Sequence, residues 1–148
     1  MTTATKGCTG KFRFDKAFHS KNRAYTKQMV EFGGNSKLDY GAMLISQKEV
    51  TSGKYDRVKI PRGVIDWHSH PAKCAKSTCT IGLPSPADLC NIYDGALRDS
   101  EYHLVYSKEG TYVIRIADHF KAAIVEHPKI LPLLKERVTK DLTELQSF

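Results

Sequence analysis

The stretch Val64-Ile65-Asp66-Trp67-His68-Ser69-His70-Pro71 (residues 64–71) carries an apolar strand pattern directly into two histidines. On a β-strand, side chains at positions i and i+2 point to the same side, so His68 and His70 can aim two imidazoles at one point. Trp67 faces the opposite side and is interpreted as a core residue. Zinc binds imidazole nitrogens, and a catalytic zinc site needs a third protein ligand beside its open position. Asp88 is well placed in the sequence to be that ligand.

The segment Pro84-Ser85-Pro86-Ala87-Asp88 predicts the start of a helix. Ser85 suits the N-cap, Pro86 suits the first helical position, and Asp88 at the third position completes a capping pattern. The predicted helix therefore carries Asp88 in its first turn, where the histidine pair needs a partner. Its apolar face is supplied by Leu89, Ile92, Tyr93 and Leu97.

The rest of the chain alternates between strand and helix patterns. Helical spacing predicts helices over residues 20–31 and after Pro132, and Gly33-Gly34 is interpreted as the end of the first one. Strands are predicted at residues 11–14, 40–45, 55–60, 64–68, 101–107 and 111–116. This alternation predicts a single α/β domain over residues 11–148, a sheet flanked by helices, after an N-terminal tail at residues 1–10.

Composition and charge narrow the class of protein. The 148 residues are 41% apolar and 26% charged, which is ordinary for a globular domain. No apolar run approaches a membrane-spanning length, and residues 1–7 lack a secretory h-region, so the expected location is intracellular, in the cytoplasm or nucleus. The net charge is +7, and the basic residues that produce it are scattered along the sequence. Because their densest stretch, residues 11–27, has no RNA-binding signature, nucleic acid is the least favoured partner.

The chain has four cysteines, at positions 8, 74, 79 and 90. Thiols of intracellular proteins are usually reduced, so a disulfide framework is the weaker interpretation. The spacing of Cys74, Cys79 and Cys90 could serve a second metal site. Ordinary thiols are the preferred interpretation of all three.

The pattern His-Ser-His-Pro, a loop, then Pro-Ser-x-x-Asp resembles the JAMM motif of the MPN+ zinc metalloproteases, a family that includes deubiquitinating isopeptidases. The resemblance implies an α/β MPN-like domain with a mixed β-sheet. It implies one zinc ion per chain, bound by His68, His70 and Asp88, and Ser85 as the hydrogen-bond donor to an oxyanion. The loop between His70 and Ser85 is long, which is reminiscent of the branch of the family found in large DNA viruses.

The resemblance extends over residues 25–116. The segment Glu31-Phe32-Gly33-Gly34 is similar to the family element that carries a catalytic glutamate, which implies Glu31 as the residue that takes a proton from water. Glu49, nearer to His68 in sequence, is the alternative. The other histidines are interpreted as structural or surface residues: His19, His103, His119 and His127.

Two functions follow from these residues. The first is a zinc-dependent peptidase or isopeptidase that hydrolyses an amide bond in a protein substrate, such as a ubiquitin-like conjugate. The second is a non-catalytic assembly component, such as a minor capsid protein of a large DNA virus, with other subunits as partners and a place in the virion. The complete set of Glu31, Ser85 and three ligands favours the enzyme. A zinc deaminase is excluded because it needs His-x-Glu and Pro-Cys-x-x-Cys.

Overall fold

The structure, a computed structural model, describes residues 11–72, 74–75, 78–79, 81–98 and 100–146. In that part of the chain the strands are β1 (Arg13–Phe14), β2 (Phe32–Asp39), β3 (Leu44–Ser52), β4 (Ile65–Ser69), β5 (Cys74–Ala75), β6 (Thr78–Cys79), β7 (Tyr102–Ser107) and β8 (Gly110–Ile114). The α-helices are α1 (Phe18–Ala24), α2 (Pro86–Gly95), α3 (Asp118–Glu126) and α4 (Leu131–Gln146). Two 3₁₀-helices, Tyr25–Lys27 and Pro128–Ile130, follow α1 and precede α4.

A mixed six-stranded sheet organises the molecule. Its strand order is β1-β3-β2-β4-β7-β8, while β5 and β6 pair in a separate hairpin. The pairs β1·β3 and β4·β7 are parallel, and the other neighbours are antiparallel. Helix α1 packs against β7, and α2 packs against α4. The predicted mixed α/β architecture is confirmed.

Trp67 on β4 is the centre of the main core. Its side chain is 0% exposed and packs with buried side chains from α1, β3 and β7. The indole nitrogen donates a hydrogen bond to the side-chain oxygen of Gln47 at 3.2 Å, so its polar atom is satisfied. The interpretation of Trp67 as a core residue is confirmed.

Gly33 and Gly34 lie inside β2 and do not end a helix. Gly34 pairs in register with Trp67, and a Cβ at position 34 would lie 2.6 Å from three atoms of the indole ring. Glycine is therefore needed here because the buried ring approaches the backbone closely. The interpretation of Gly33-Gly34 as a helix end is wrong for this reason.

The first helix is shorter than the predicted span of residues 20–31. Helix α1 and its 3₁₀ turn end at Lys27, and Gln28 is extended with φ −82° and ψ 162°. Glu31 consequently stands on the chain that enters β2 and does not belong to a helix. This position matters because β2 lies directly beside β4 in the sheet.

Two predicted strands and one helix also differ from the structure. Residues 40–43 form a turn in which Met43 has φ 51°, so the strand predicted at 40–45 begins only at Leu44. Residues 55–60 form no strand; the hydroxyl of Thr51 donates to the carbonyl of Lys59. Helix α3 was not predicted.

The elements that flank the motif are confirmed. Strands β4, β7 and β8 match the patterns at residues 64–68, 101–107 and 111–116, and α4 matches the helix predicted near Pro132. Among the described residues, no helix is both long enough and apolar enough to cross a membrane.

Candidate metal centre

Strand β4 carries three polar residues on one face. Asp66, His68 and His70 follow one another at spacing i, i+2, i+4, while Trp67 and Ser69 point to the other face. The strand lies between β2 and β7, so His68 is only 1% exposed. The backbone N–H of His70 donates to the Tyr106 carbonyl at 2.9 Å, which continues the β4·β7 pairing past the end of the strand. Both imidazoles are thereby held at the same end of β4.

Helix α2 brings Asp88 to these histidines. Ser85 is its N-cap, and the predicted capping box is confirmed: the Asp88 N–H donates to Ser85 Oγ at 3.1 Å, and the Ser85 N–H donates to Asp88 Oδ2 at 2.7 Å. Pro86 takes the first helical position. The cap fixes the carboxylate at the N-terminus of the helix, where the helix dipole also favours negative charge.

The ligand atoms of His68, His70 and Asp88 meet at one point. The distances are 3.0 Å between the two Nε2 atoms, 3.2 Å from His68 Nε2 to Asp88 Oδ1 and 3.3 Å from His70 Nε2 to Asp88 Oδ2. In the described part of the chain this is the only group of histidine, cysteine and carboxylate ligands that could hold a metal ion. Tetrahedral zinc with ligands at 2.0–2.1 Å separates them by about 3.3 Å. The two contacts to Asp88 are made by different oxygens; with one ligand atom from each residue, the three atoms lie within 4.8 Å of one another, and their types are ones that zinc binds.

The carboxylate of Asp88 influences the pKa values of both histidines, and its own pKa is shifted in turn. Burial opposes the charged carboxylate, but hydrogen bonds from His68 and His70 outweigh burial and hold the pKa of Asp88 well below its usual range. Burial lowers the pKa of His68 despite the nearby carboxylate. For His70, burial is outweighed by the hydrogen bond and charge of Asp88, so its pKa is raised. A divalent cation requires the carboxylate ionised and both imidazoles neutral, so it would compete with a proton at His70.

A carbonyl behind His70 fixes which of its nitrogens faces the centre. His70 Nδ1 lies 3.0 Å from the Gly82 carbonyl oxygen. Because a carbonyl can only accept, Nδ1 donates and Nε2 keeps its lone pair for a metal. Ser107 Oγ donates to the same carbonyl at 2.5 Å and holds the loop in place.

A second histidine lies behind His68. His68 Nδ1 is 2.7 Å from His103 Nε2, and His103 Nδ1 is 2.5 Å from Asp66 Oδ1. Asp66 Oδ2 in turn accepts a hydrogen bond from Ser100 Oγ at 3.2 Å. His103 is 6% exposed and lies on β7 opposite Asp66. The sequence pattern led to the interpretation of His103 as a structural or surface residue. It did not predict the contact of His103 with His68, one of the possible metal ligands.

Glu31 lies at the edge of the centre. In the β2·β4 register Gly33 pairs with His68, so Glu31 falls opposite His70. Its backbone is held by two hydrogen bonds, from its own N–H to the Lys54 carbonyl at 2.8 Å and from the Gly53 N–H to its carbonyl at 2.7 Å. Its side chain is half-buried, and its charge is one of the influences that raise the pKa of His70.

Glu49, the alternative to Glu31, lies farther along the sheet. It is exposed on β3 and pairs with Asn35, which itself pairs with Asp66 at the opposite end of β4 from His70. Its backbone N–H donates to the side chain of Asn35 at 2.9 Å. The preference for Glu31 over Glu49 is consistent with this arrangement.

The cysteine site receives no geometric support. The backbones of Cys74 and Cys79 pair in the β5·β6 hairpin, but their side chains lie outside the described part of the structure. The Cys90 thiol points to α4, 3.6 Å from the Lys135 carbonyl and 3.6 Å from the Thr139 hydroxyl. A second metal site at the three cysteines stays a prediction.

No protein-family model matches the sequence, and a comparison with curated proteins also finds no match. The likeness to JAMM metalloproteases therefore depends on the motif residues of the sequence alone. What the structure establishes is a mixed α/β fold with a His68-His70-Asp88 group that could hold a metal ion.

Proposed function

We propose that the chain is a zinc-dependent peptidase or isopeptidase of the JAMM type, which hydrolyses an amide bond in a protein substrate. The observation that carries the proposal is the convergence of His68, His70 and Asp88, whose ligand atoms lie within 4.8 Å of one another, with the charge of Glu31 close enough to act on His70. The order of these residues along the chain, with Ser85 three positions before Asp88, is the reason to choose this class among zinc hydrolases.

A bound zinc ion and the side chains of the protein would contribute different parts of the hydrolysis reaction. A zinc ion held by the three ligands would polarise a substrate carbonyl and make water acidic enough to ionise near neutral pH. As the oxygen of a water molecule adds to the substrate carbonyl carbon, Glu31 would accept the proton that the water loses and deliver it to the amine that leaves when the C–N bond breaks. General acid–base residues in such positions contribute about 10²- to 10⁴-fold to the rate.

Ser85 stabilises the charge that develops on the substrate. Its oxygen accepts from the Asp88 N–H, and its hydroxyl hydrogen can still donate, because a hydroxyl does both. A donor aimed at an oxyanion contributes about 2.7–4 kcal/mol to transition-state stabilisation in other hydrolases. The helix N-cap and the oxyanion donor are then the same residue.

The first experiment measures metal. Purified protein is loaded with zinc, and elemental analysis counts ions per chain for the wild type and for the double variant His68→Ala with His70→Ala. About one ion per chain is expected, with none in the double variant. A double variant that keeps stoichiometric zinc would show that the metal binds elsewhere.

The second experiment measures cleavage. Zinc-loaded protein is incubated with ubiquitin chains of defined linkage and with a panel of ubiquitin-like conjugates. Glu31→Gln should bind zinc as the wild type does but lose at least about 10²-fold in rate, since an amide cannot take the proton. Glu49→Gln is the matched control and should change little. Reversal of the two results would make Glu49 the base.

The assembly component is the other outcome of these tests. A protein that binds zinc at the three ligands and cleaves none of these substrates, with Glu31→Gln indistinguishable from the wild type, would argue for a fold used as a building block.

A further inference from the structure

We propose that His103 and Asp66 are positioning residues that hold His68 in the tautomer required for metal binding. The inference rests on the proposed function only in that His68 is taken as a metal ligand. His103 and Asp66 lie beyond the ligand set and have no counterpart in the motif. They are joined to His68 by the hydrogen-bond chain His68–His103–Asp66, with contacts of 2.7 Å and 2.5 Å.

The donor and the acceptor of each hydrogen bond in the series His68–His103–Asp66 can be assigned by starting at His68. His68 Nε2 faces Asp88 and His70, so a metal there requires the lone pair on Nε2 and places the His68 proton on Nδ1. That N–H points at His103 Nε2, which must therefore accept. His103 then carries its proton on Nδ1 and donates to the Asp66 carboxylate, which can only accept when ionised. Every bond is satisfied in this one arrangement.

The other arrangement is incompatible with a metal. If His103 carried its proton on Nε2, it would donate to His68 Nδ1 and force the His68 proton onto Nε2, where a cation has to bind. Its own Nδ1 would then offer a lone pair to the Asp66 carboxylate. Because His68 is only 1% exposed, water is poorly placed to replace His103 as the partner of its Nδ1. Asp66 therefore selects the tautomer of His103, and His103 selects that of His68.

The pairing of strands in the sheet fixes the positions of the hydrogen-bonded residues. β4 and β7 are parallel neighbours, and Asp66 pairs in register with His103, so both partners of His103 lie on one strand two residues apart. The second oxygen of Asp66 accepts from Ser100 Oγ, which fixes the carboxylate from its far side. Partners of this kind typically change metal affinity by about 10- to 100-fold when they are removed.

The test compares zinc affinity, measured by competition with a chromophoric chelator, across matched variants. His103→Phe keeps a flat buried ring but removes the acceptor, and its zinc Kd should rise about 10- to 100-fold. His103→Gln offers an acceptor at the same place and should recover most of the affinity. His19→Phe is the control, because His19 also packs against aromatic rings but lies outside the centre.

Asp66→Ala is the second variant. Asp66 and Ser100 line a cavity of about 660 Å³, so loss of the carboxylate leaves space that is continuous with this cavity and the variant should fold. Nitrogen-15 NMR of the histidine rings gives the direct readout. In zinc-loaded wild type, His68 and His103 should both carry protons on Nδ1. In metal-free Asp66→Ala a larger share of His103 should carry its proton on Nε2 than in the metal-free wild type, and the variant should bind zinc more weakly.

Each result separates the positioning role from the enzyme proposal. Unchanged zinc affinity in His103→Phe and Asp66→Ala, or a His103 proton on Nε2 in the zinc-loaded wild type, overturns the positioning role while leaving Glu31-dependent cleavage intact. The expected affinity and tautomer results, obtained with a wild type that cleaves nothing, would support the positioning role and refute the enzyme.

Discussion

Replacing Ser85 separates the role that its hydroxyl has in the structure, the cap of α2, from the role that we propose for it in catalysis. As the N-cap of α2, Ser85 accepts from the Asp88 N–H at 3.1 Å, and in the proposed reaction it also donates to the substrate oxyanion. Ser85→Ala loses both. Loss of an N-cap costs about 1 kcal/mol of folding free energy. For a domain of about 150 residues, this lowers Tm by about 2–4 °C.

The rate should fall by more than the stability loss explains. Removal of an oxyanion donor costs about 2.7–4 kcal/mol, which is about 10²- to 10³-fold in kcat. Ser85→Gly provides the matched comparison, because glycine at an N-cap costs only a few tenths of a kcal/mol. Alanine and glycine variants should therefore differ in Tm but lose rate equally. Differential scanning calorimetry and single-turnover cleavage measure the two quantities on the same zinc-loaded samples.

Two results would refute this reasoning about Ser85. A rate within a few-fold of wild type in both variants, with zinc still bound, would leave Ser85 as a helix cap only. Loss of zinc in both would mean that the hydroxyl acts by holding the backbone N–H of Asp88, and with it the position of this ligand, and not by contacting the substrate.

Three further predictions concern the metal, the core and the pH dependence of stability. Cys74→Ser with Cys79→Ser should keep at least one zinc ion per chain by elemental analysis; loss of all zinc would contradict the ligand assignment. Gly34→Ala should cost about 1–3 kcal/mol in urea denaturation, since its Cβ would lie 2.6 Å from the buried indole, whereas Gly110→Ala, with no atom within 4 Å, should change little. The Asp88 pKa is held below its usual value. Metal-free protein should therefore lose stability as pH falls below about 4, and Asp88→Asn should flatten that part of a urea-denaturation profile.

Local signals made β4 and α2 predictable. The apolar run before His68 and the residues Ser85, Pro86 and Asp88 each act within a few positions of the chain, and the strand and capping box formed as predicted. The three possible ligands could therefore be selected from the sequence. Their convergence also depends on how α2 meets the end of β4, which no local pattern specifies.

The features that could not be predicted from the sequence depend on contacts between residues that lie far apart in the chain. The pair Gly33-Gly34 is typical of a helix end, and only the indole of Trp67 on a neighbouring strand shows why glycine is needed in β2. His103 offered no local signal either. Its role follows from the parallel pairing of β4 with β7, which joins residues 66 and 103 across the intervening loop and α2.

Each of the three possible metal ligands makes a hydrogen-bond contact with a different part of the fold. The Ser85 N–H binds the Asp88 carboxylate, the Gly82 carbonyl accepts from His70, and His103 lies against His68. The two histidine contacts use Nδ1 atoms, which leaves both Nε2 lone pairs for a metal, and the Asp88 contact occupies Oδ2 and leaves Oδ1 toward His68. A ligand whose second bond is fixed loses little conformational freedom when it binds a cation. Only the His103 contact is made by a side chain, so a substitution there should change metal affinity although the His103 ring would not touch the ion.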